Sequence, residues 1–233
     1  MLNSTILIKI RQRLNKLASN DYDNIIDWQI VEAFNKAQVE WCRRNLHGLN
    51  VKQEGDEQST RRIDDLQVLL FTGALTSFKK DKYYESDVPA DYLQWKRLSA
   101  QAKSECCPKP RDLVIYLAEE ANVDLLLRDN VRKPSFDWAE TFATLENNRI
   151  QVYNNNEFDI LNVKLTYYRQ PTRIQILGTV DPYTGIASTA NVESELKDDL
   201  IELIIDETAK ILAGDIESFN QMQRTSQAVE NNN

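Results

Sequence analysis

The stretch VKLTYYRQPTRI, Val163–Ile174, decides how the chain is read. Val163, Leu165 and Tyr167 alternate with Lys164, Thr166 and Tyr168, the period of a half-buried strand. Arg169, Gln170 and Pro171 then stop it, because proline cannot donate to a ladder. A strand that ends on two tyrosines and an arginine has three readings: core packing, a catalytic tyrosine or an interface anchor. The residues around it must choose.

Upstream the same signal recurs. LQWKRLSAQAKSE (93–105) alternates enough for a long strand, and DLVIYLA (112–118) is a second. TFATLE and RIQVYN flank Asn147-Asn148, which predicts a hairpin. FDILNVKLTYYR (158–169) follows Asn154-Asn155-Asn156. ANVDLLLRD (121–129) does not alternate and reads as a short helix or turn. The links are too short for repeated helical crossovers, so we expect an antiparallel sheet of about four to six strands.

Outside this region the period becomes helical. Ile6, Ile10, Leu14 and Leu17 form one stripe over 4–18. Asp21 or Asp23 offers a cap for a helix over 24–47, whose apolar residues include Ile26, Ile30, Val31, Phe34, Ala37, Val39 and Trp41. Residues 59–76 predict a third helix, with Ile63, Leu66, Leu69, Leu70 and Leu75 inward and Ser59 or Thr60 as cap. From Asn191 onward Leu196, Leu200, Leu203, Ile204, Ile211, Leu212, Ile216 and Phe219 share a face, flanked by acids. The expected fold class is α+β: N-terminal helices (1–78), a central antiparallel β-sheet (79–190) and a long C-terminal helix with a polar tail (191–233), all in one domain over 1–233.

Composition narrows the function. Of the 233 residues 42% are hydrophobic, enough for a packed core. No apolar run approaches the roughly 20 residues of a membrane span, and the start has no signal-peptide layout, so we expect a soluble protein with no membrane partner. Cys42, Cys106 and Cys107 form neither a disulfide framework nor a zinc knuckle. The net charge of −8 is uneven. Residues 1–110 carry 17 basic and 15 acidic side chains, whereas 191–233 carry 3 and 10. That argues against a protein that grips nucleic acid through a basic face.

No catalytic constellation emerges. The single histidine, His47, sits at an expected helix end, where it caps carbonyls more often than it acts as a base. None of the six glycines belongs to a phosphate-cradling loop. Asp64-Asp65 and Asp198-Asp199 are helical neighbours that point about 100° apart. No cofactor, metal or enzymatic activity is expected. Tyr83, Tyr84, Tyr167, Tyr168 and Arg169 remain, as interface anchors or as core.

Four places in this order resemble the head–tail connector proteins of tailed bacteriophages, the adaptor or ring proteins beneath the portal, most like those of crAss-like phages. They are the helix DWQIVEAFNKAQVEWCRRN with its Asn35-Lys36-Ala37 centre, the strand lead-in VPADYLQWKRLSAQAK, the pair RDNVRKPS and VKLTYYRQP, and the helix ELKDDLIELIIDETAKILAGDIESFNQMQ before an Asn-rich end. The resemblance implies a virion structural protein at the head–tail junction, made in the host cytoplasm. It implies a homo-oligomeric ring of about twelve copies. Its partners would be the portal, neighbouring ring or tail proteins, and DNA in transit through the lumen without specific binding. A non-sequence-specific nucleic-acid-binding module and a hydrolase with an unusual carboxylate site are the alternatives. Tyr83, Tyr84, Tyr167, Tyr168 and Arg169 would then be rim anchors, and loop 172–190 a docking loop. Asp198, Asp199 and Glu202 would line the lumen or meet a basic neighbouring ring.

Overall fold

The computed structural model describes residues 1–14, 25–47, 64–105 and 107–215, with residue 227. Expectations for Leu17, the caps at Asp21, Asp23, Ser59 and Thr60, Ile63, Cys106, Ile216, Phe219 and the tail lie outside these residues. The protein is α+β. Where one domain was expected, the chain folds as two compact units: Leu69–Gln170, and Met1–Val68 together with Pro171–Asn233.

The first unit is one eight-stranded sheet. Its strands are β1 (Leu70–Leu75), β2 (Ser77–Lys79), β3 (Tyr83–Asp87), β4 (Tyr92–Ser104), β5 (Cys107–Leu117), β6 (Glu140–Glu146), β7 (Arg149–Tyr153) and β8 (Asp159–Arg169). They lie in the order β1-β8-β4-β5-β6-β7-β3-β2. β1 and β2 stand at opposite ends of that order, yet only Thr76 separates them. Consecutive Cα atoms are about 3.8 Å apart, so the two edges meet. The sheet is a barrel closed by one bent strand, Leu70–Lys79, whose halves pair with β8 and β3. Residues 70–75 are therefore strand and not the end of a helix. Each half of that strand pairs on one side only, so Leu70–Leu75 and Ser77–Lys79 each keep one unpaired edge.

The sheet is also mixed and not purely antiparallel. β5 and β6 run parallel, Val114 opposite Glu140 through Leu117 opposite Ala143. Residues 118–139 make the crossover such a pair requires, with helix α3 (Val123–Arg128) inside it. The other expected strands and the Asn147-Asn148 hairpin are present. Both asparagines have positive φ, 48° and 60°, as a type I′ turn demands. Inward residues fill the barrel: Leu98 and Ala100 from β4, Leu113 and Ile115 from β5, Ile150 and Val152 from β7, Val163 and Leu165 from β8. The alanines keep so narrow an interior from overfilling. A second cluster of Val123, Phe142 and Tyr153 forms outside β6 and β7, where α3 covers them with Leu126 and Leu127.

The second unit is helical. α1 (Asn3–Leu14) buries Ile6, Ile10 and Leu14, as its stripe predicts. α2 (Asp27–His47) buries Ile30, Phe34, Ala37 and Trp41, whereas Ile26 stays exposed. The Gln29 side chain accepts the Ile26 N–H at 3.2 Å, half of a capping box. α4 is Asp198–Asp215. It packs on both other helices through Leu200, Ile201, Ile204, Ile205, Ala209 and Leu212. No described helix is long and apolar enough to cross a membrane.

Candidate assembly surfaces

The tyrosines of the opening stretch are core residues, not rim anchors. Tyr167 points into the barrel, 2% exposed, and its hydroxyl donates to Asp91 Oδ1 at 2.8 Å. Its ring stands 5.8 Å from both Phe71, edge-on, and Tyr92. Burial first, and then the Asp91 carboxylate, pushes the Tyr167 hydroxyl up to about 12, so it stays protonated. Gly73 leaves room for this stack, because a Cβ there would sit 3.1 Å from the Phe71 ring. Tyr168 is buried as well, with Lys96 5.8 Å over its ring. Tyr84 is buried and donates to Asp159 at 3.0 Å. Tyr83 is half-buried 5.5 Å from the Tyr153 ring, and Arg169 is half-buried. Of the outward tyrosines, Tyr168 is buried and Tyr83 is half-buried against the Tyr153 cluster.

The acids of α4 are engaged within the chain. Glu202 pairs with Lys9 and Arg13, and Asp206 with Arg13 at 2.7 Å. Asp198 meets the amino terminus of Met1 at 2.7 Å. Asp199 is exposed. Glu207, 4% exposed, lies on the buried side and takes both Nη atoms of Arg44, at 3.0 and 3.3 Å. Of the acids expected to line a lumen or meet a neighbouring ring, Glu202 sits in a seam between α1 and α4, whereas Asp198 and Asp199 are exposed. Asp64 and Asp65 do share a partner, Lys197.

Buried amides hold the segment between Pro171 and α4. Asn35 exchanges two hydrogen bonds with the backbone of Ile174. Gln38 donates to the Thr172 carbonyl at 3.0 Å and accepts from Ser194 at 3.0 Å. Asn3 donates to the carbonyls of Gln175 and Val192, both at 2.9 Å. Beyond these staples the chain runs out and back as an antiparallel arm, bridged at Gln175–Val192 and Val180–Ala187. Its tip is the turn Asp181–Gly185. Asp181 accepts from the Tyr183 N–H and the Thr184 hydroxyl, each at 2.9 Å, and these hold its carboxyl below the usual range. Gly185 takes φ 68° there. The arm exposes Leu177, Val180, Tyr183 (86%) and Ile186. The Tyr183 ring stands edge-on to Trp28, 5.5 Å away. A groove of about 740 Å³ runs between the arm and α2, lined by Trp28, Asn35, Arg173 and Tyr183.

The barrel unit carries its own apolar surface. Val114 and Tyr116 of β5 face outward beside Leu125, Val131 and Trp138 of the crossover, all exposed. Two adjoining grooves of about 280 and 440 Å³ share Tyr116 and Arg132. The Tyr116 hydroxyl donates to the Arg132 carbonyl at 3.2 Å.

Among the described residues no three or more His, Cys, Asp or Glu come together as a metal site would require. Cys42 is buried, which pushes its thiol up to about 12 and keeps it inert at neutral pH. Asp181-Pro182 and Thr184-Gly185 are turn signals at the arm's tip, but nothing in the sequence marked Asn3, Asn35 and Gln38 as staples. A polar residue on an amphipathic helix reads as solvated. No family model matches the chain, and no curated protein matches it either.

Proposed function

We propose that the chain is a structural ring subunit of a tailed-phage virion at the head–tail junction. It joins the portal to a neighbouring ring or tail protein, in about twelve copies around a lumen that DNA crosses. The observation that carries this reading is the arm, Gln175–Val192. Four large apolar side chains are held in solvent on a hairpin whose base is fixed by three buried amides. Order without burial suits a surface reserved for a protein partner. The second apolar surface, on the barrel unit, supplies the other half of what a ring needs, since each subunit of a heterologous ring uses two different patches.

The alternatives find less support. Lys9, Arg11, Arg13, Arg44 and Arg173 all pair with carboxylates of their own chain, so these five are not free to meet phosphates. A hydrolase needs carboxylates grouped around a cleft, and the acids of α4 are tied to α1 and α2 instead.

The test mixes purified chain with purified portal and images the product by negative stain. A ring of electron density stacked on the portal is the expected result. Failure to bind the portal, together with DNA binding that weakens steeply with salt, overturns the reading in favour of a nucleic-acid module.

A further inference from the structure

We infer that the free edge of β1, Leu70–Leu75, receives an extended, uncharged segment of a neighbouring protein as an added strand. The edge stands on its own geometry. The choice of another protein over the same edge of a second copy rests on the ring reading.

β1 pairs with β8 alone, in unbroken register from Leu70 opposite Tyr168 to Leu75 opposite Val163. Alternate N–H and C=O groups of an antiparallel strand point away from its partner. From Phe71 onward no hydrogen bond from another described residue reaches those groups. The inner side tells the same story. Phe71 packs on Tyr167 inside the barrel, yet it is 49% exposed, because β1 has a neighbour on one side only.

Free edges are normally guarded by a charge, a proline, a bulge or brevity. β2 follows that rule: it is three residues long and ends on Lys79, which pairs with Asp159. β1 does not. It is six residues long, its register has no bulge, and Leu66–Phe78 contains neither a charged residue nor a proline. A strand edge, unlike an apolar face, specifies its occupant. Its polar groups repeat at strand spacing and are matched in full only by another extended backbone. The side chains limit that occupant further. Neighbours of Phe71, Gly73 and Leu75 lie on the inner side and must be apolar. Within 4 Å of where a Cβ would sit on Gly73 stands only the Phe71 ring, so a bulky apolar side chain fits beside it. Two copies of the edge would pair about a two-fold axis, which uses one patch twice and does not propagate around a ring.

The experiment titrates isotope-labelled full chain with a capped hexapeptide of alternating threonine and valine, to about 1 mM, enough to populate a weak contact. The control peptide carries proline at every second position. Amide shifts on β1, and hydrogen exchange there slowed roughly tenfold, are expected with the first peptide only. Ala74→Glu sets a carboxylate opposite Lys164 and on the free edge. It should weaken the effect roughly fivefold, with circular dichroism confirming the fold. No change on β1, an equal effect of the proline peptide, or changes confined to other strands overturn the edge. Thr72→Cys chains that join through position 72 at about 100 µM, with no other protein present, overturn the choice of donor. In rings stacked on the portal, β1 should exchange more slowly than in the free chain. Rings in which β1 exchange is unchanged overturn the inference and leave the ring reading standing. Protection by the peptide without any ring on the portal upholds the edge and overturns the ring reading.

Discussion

Asn35 and Ile174 exchange two hydrogen bonds. The Ile174 N–H donates to Asn35 Oδ1 at 2.8 Å, and Asn35 Nδ2 donates to the Ile174 carbonyl at 3.2 Å. A side-chain amide thus acts as a strand partner for a lone backbone residue, inside a helix bundle. Replacing Asn35 with Leu leaves two buried backbone groups unpaired. The expected loss is about 2–4 kcal/mol in urea unfolding, with faster hydrogen exchange in the arm than in the barrel. Uniform exchange across both units would show that the amide does not anchor the arm.

Arg44 and Glu207 form the most buried ion pair among the described residues. Arg44→Met strands a carboxylate beside apolar side chains and should cost about 3–5 kcal/mol. The double change Arg44→Met with Glu207→Leu should recover most of that, because two apolar groups replace two charges. A double-mutant cycle by chemical denaturation measures it. Additive losses would mean the two side chains act independently.

The seam of Lys9, Arg13, Glu202 and Asp206 is half-exposed and should be worth far less. Glu202→Gln with Asp206→Asn is expected to cost about 0.5–1 kcal/mol in dilute buffer. In 1 M salt, where the screening length falls to about 3 Å, the difference should nearly vanish. Thermal melts at the two salt concentrations give the comparison. A loss that salt leaves untouched would point to packing instead of charge.

Tyr167 should give the barrel a sensitivity to alkali. Its folded pKa lies above the value of an unfolded tyrosine, through burial and then the Asp91 carboxylate. The protonated form is the one the fold prefers. Its contribution is therefore complete below about pH 10 and is lost as pH rises towards the folded value of about 12. Tyr167→Phe should flatten the fall of stability between pH 9 and about 11.5. The unfolding free energy of both proteins against pH is the measurement, and parallel curves would contradict the assignment.

Much of this architecture is legible in the sequence wherever one face is wet. The stripes of α1 and α2 and the alternation of β4, β5 and β8 follow from neighbours within each segment. The Asn-Asn hairpin and the arm's turn announce themselves through backbone conformations that few residues accept. β1 does not. QVLLF reads as a helix because its apolar run lacks alternation, and its fate is set by the adjacent strand β8, whose Leu165 pairs with Gly73. The parallel β5–β6 pair is hidden for a similar reason, since one crossover decides it. Tyr168 misleads because it is buried although the alternation of its strand marks it as outward. The engaged acids of α4 mislead because their cations lie almost the whole chain away, on α1.

The interrupted helical unit has a consequence for biosynthesis. Its first two helices leave the ribosome early, but α4, which covers Ile6, Ile10 and Phe34, is translated only after the entire barrel. The barrel, contiguous from Leu69 to Gln170, can complete itself while translation continues. The nascent helices must meanwhile wait with their apolar stripes uncovered. The arm precedes α4, so it is emitted before its own base is secured by a finished bundle. The bundle that fixes the base of the arm is therefore the last part of the chain to close, after the whole barrel has been made.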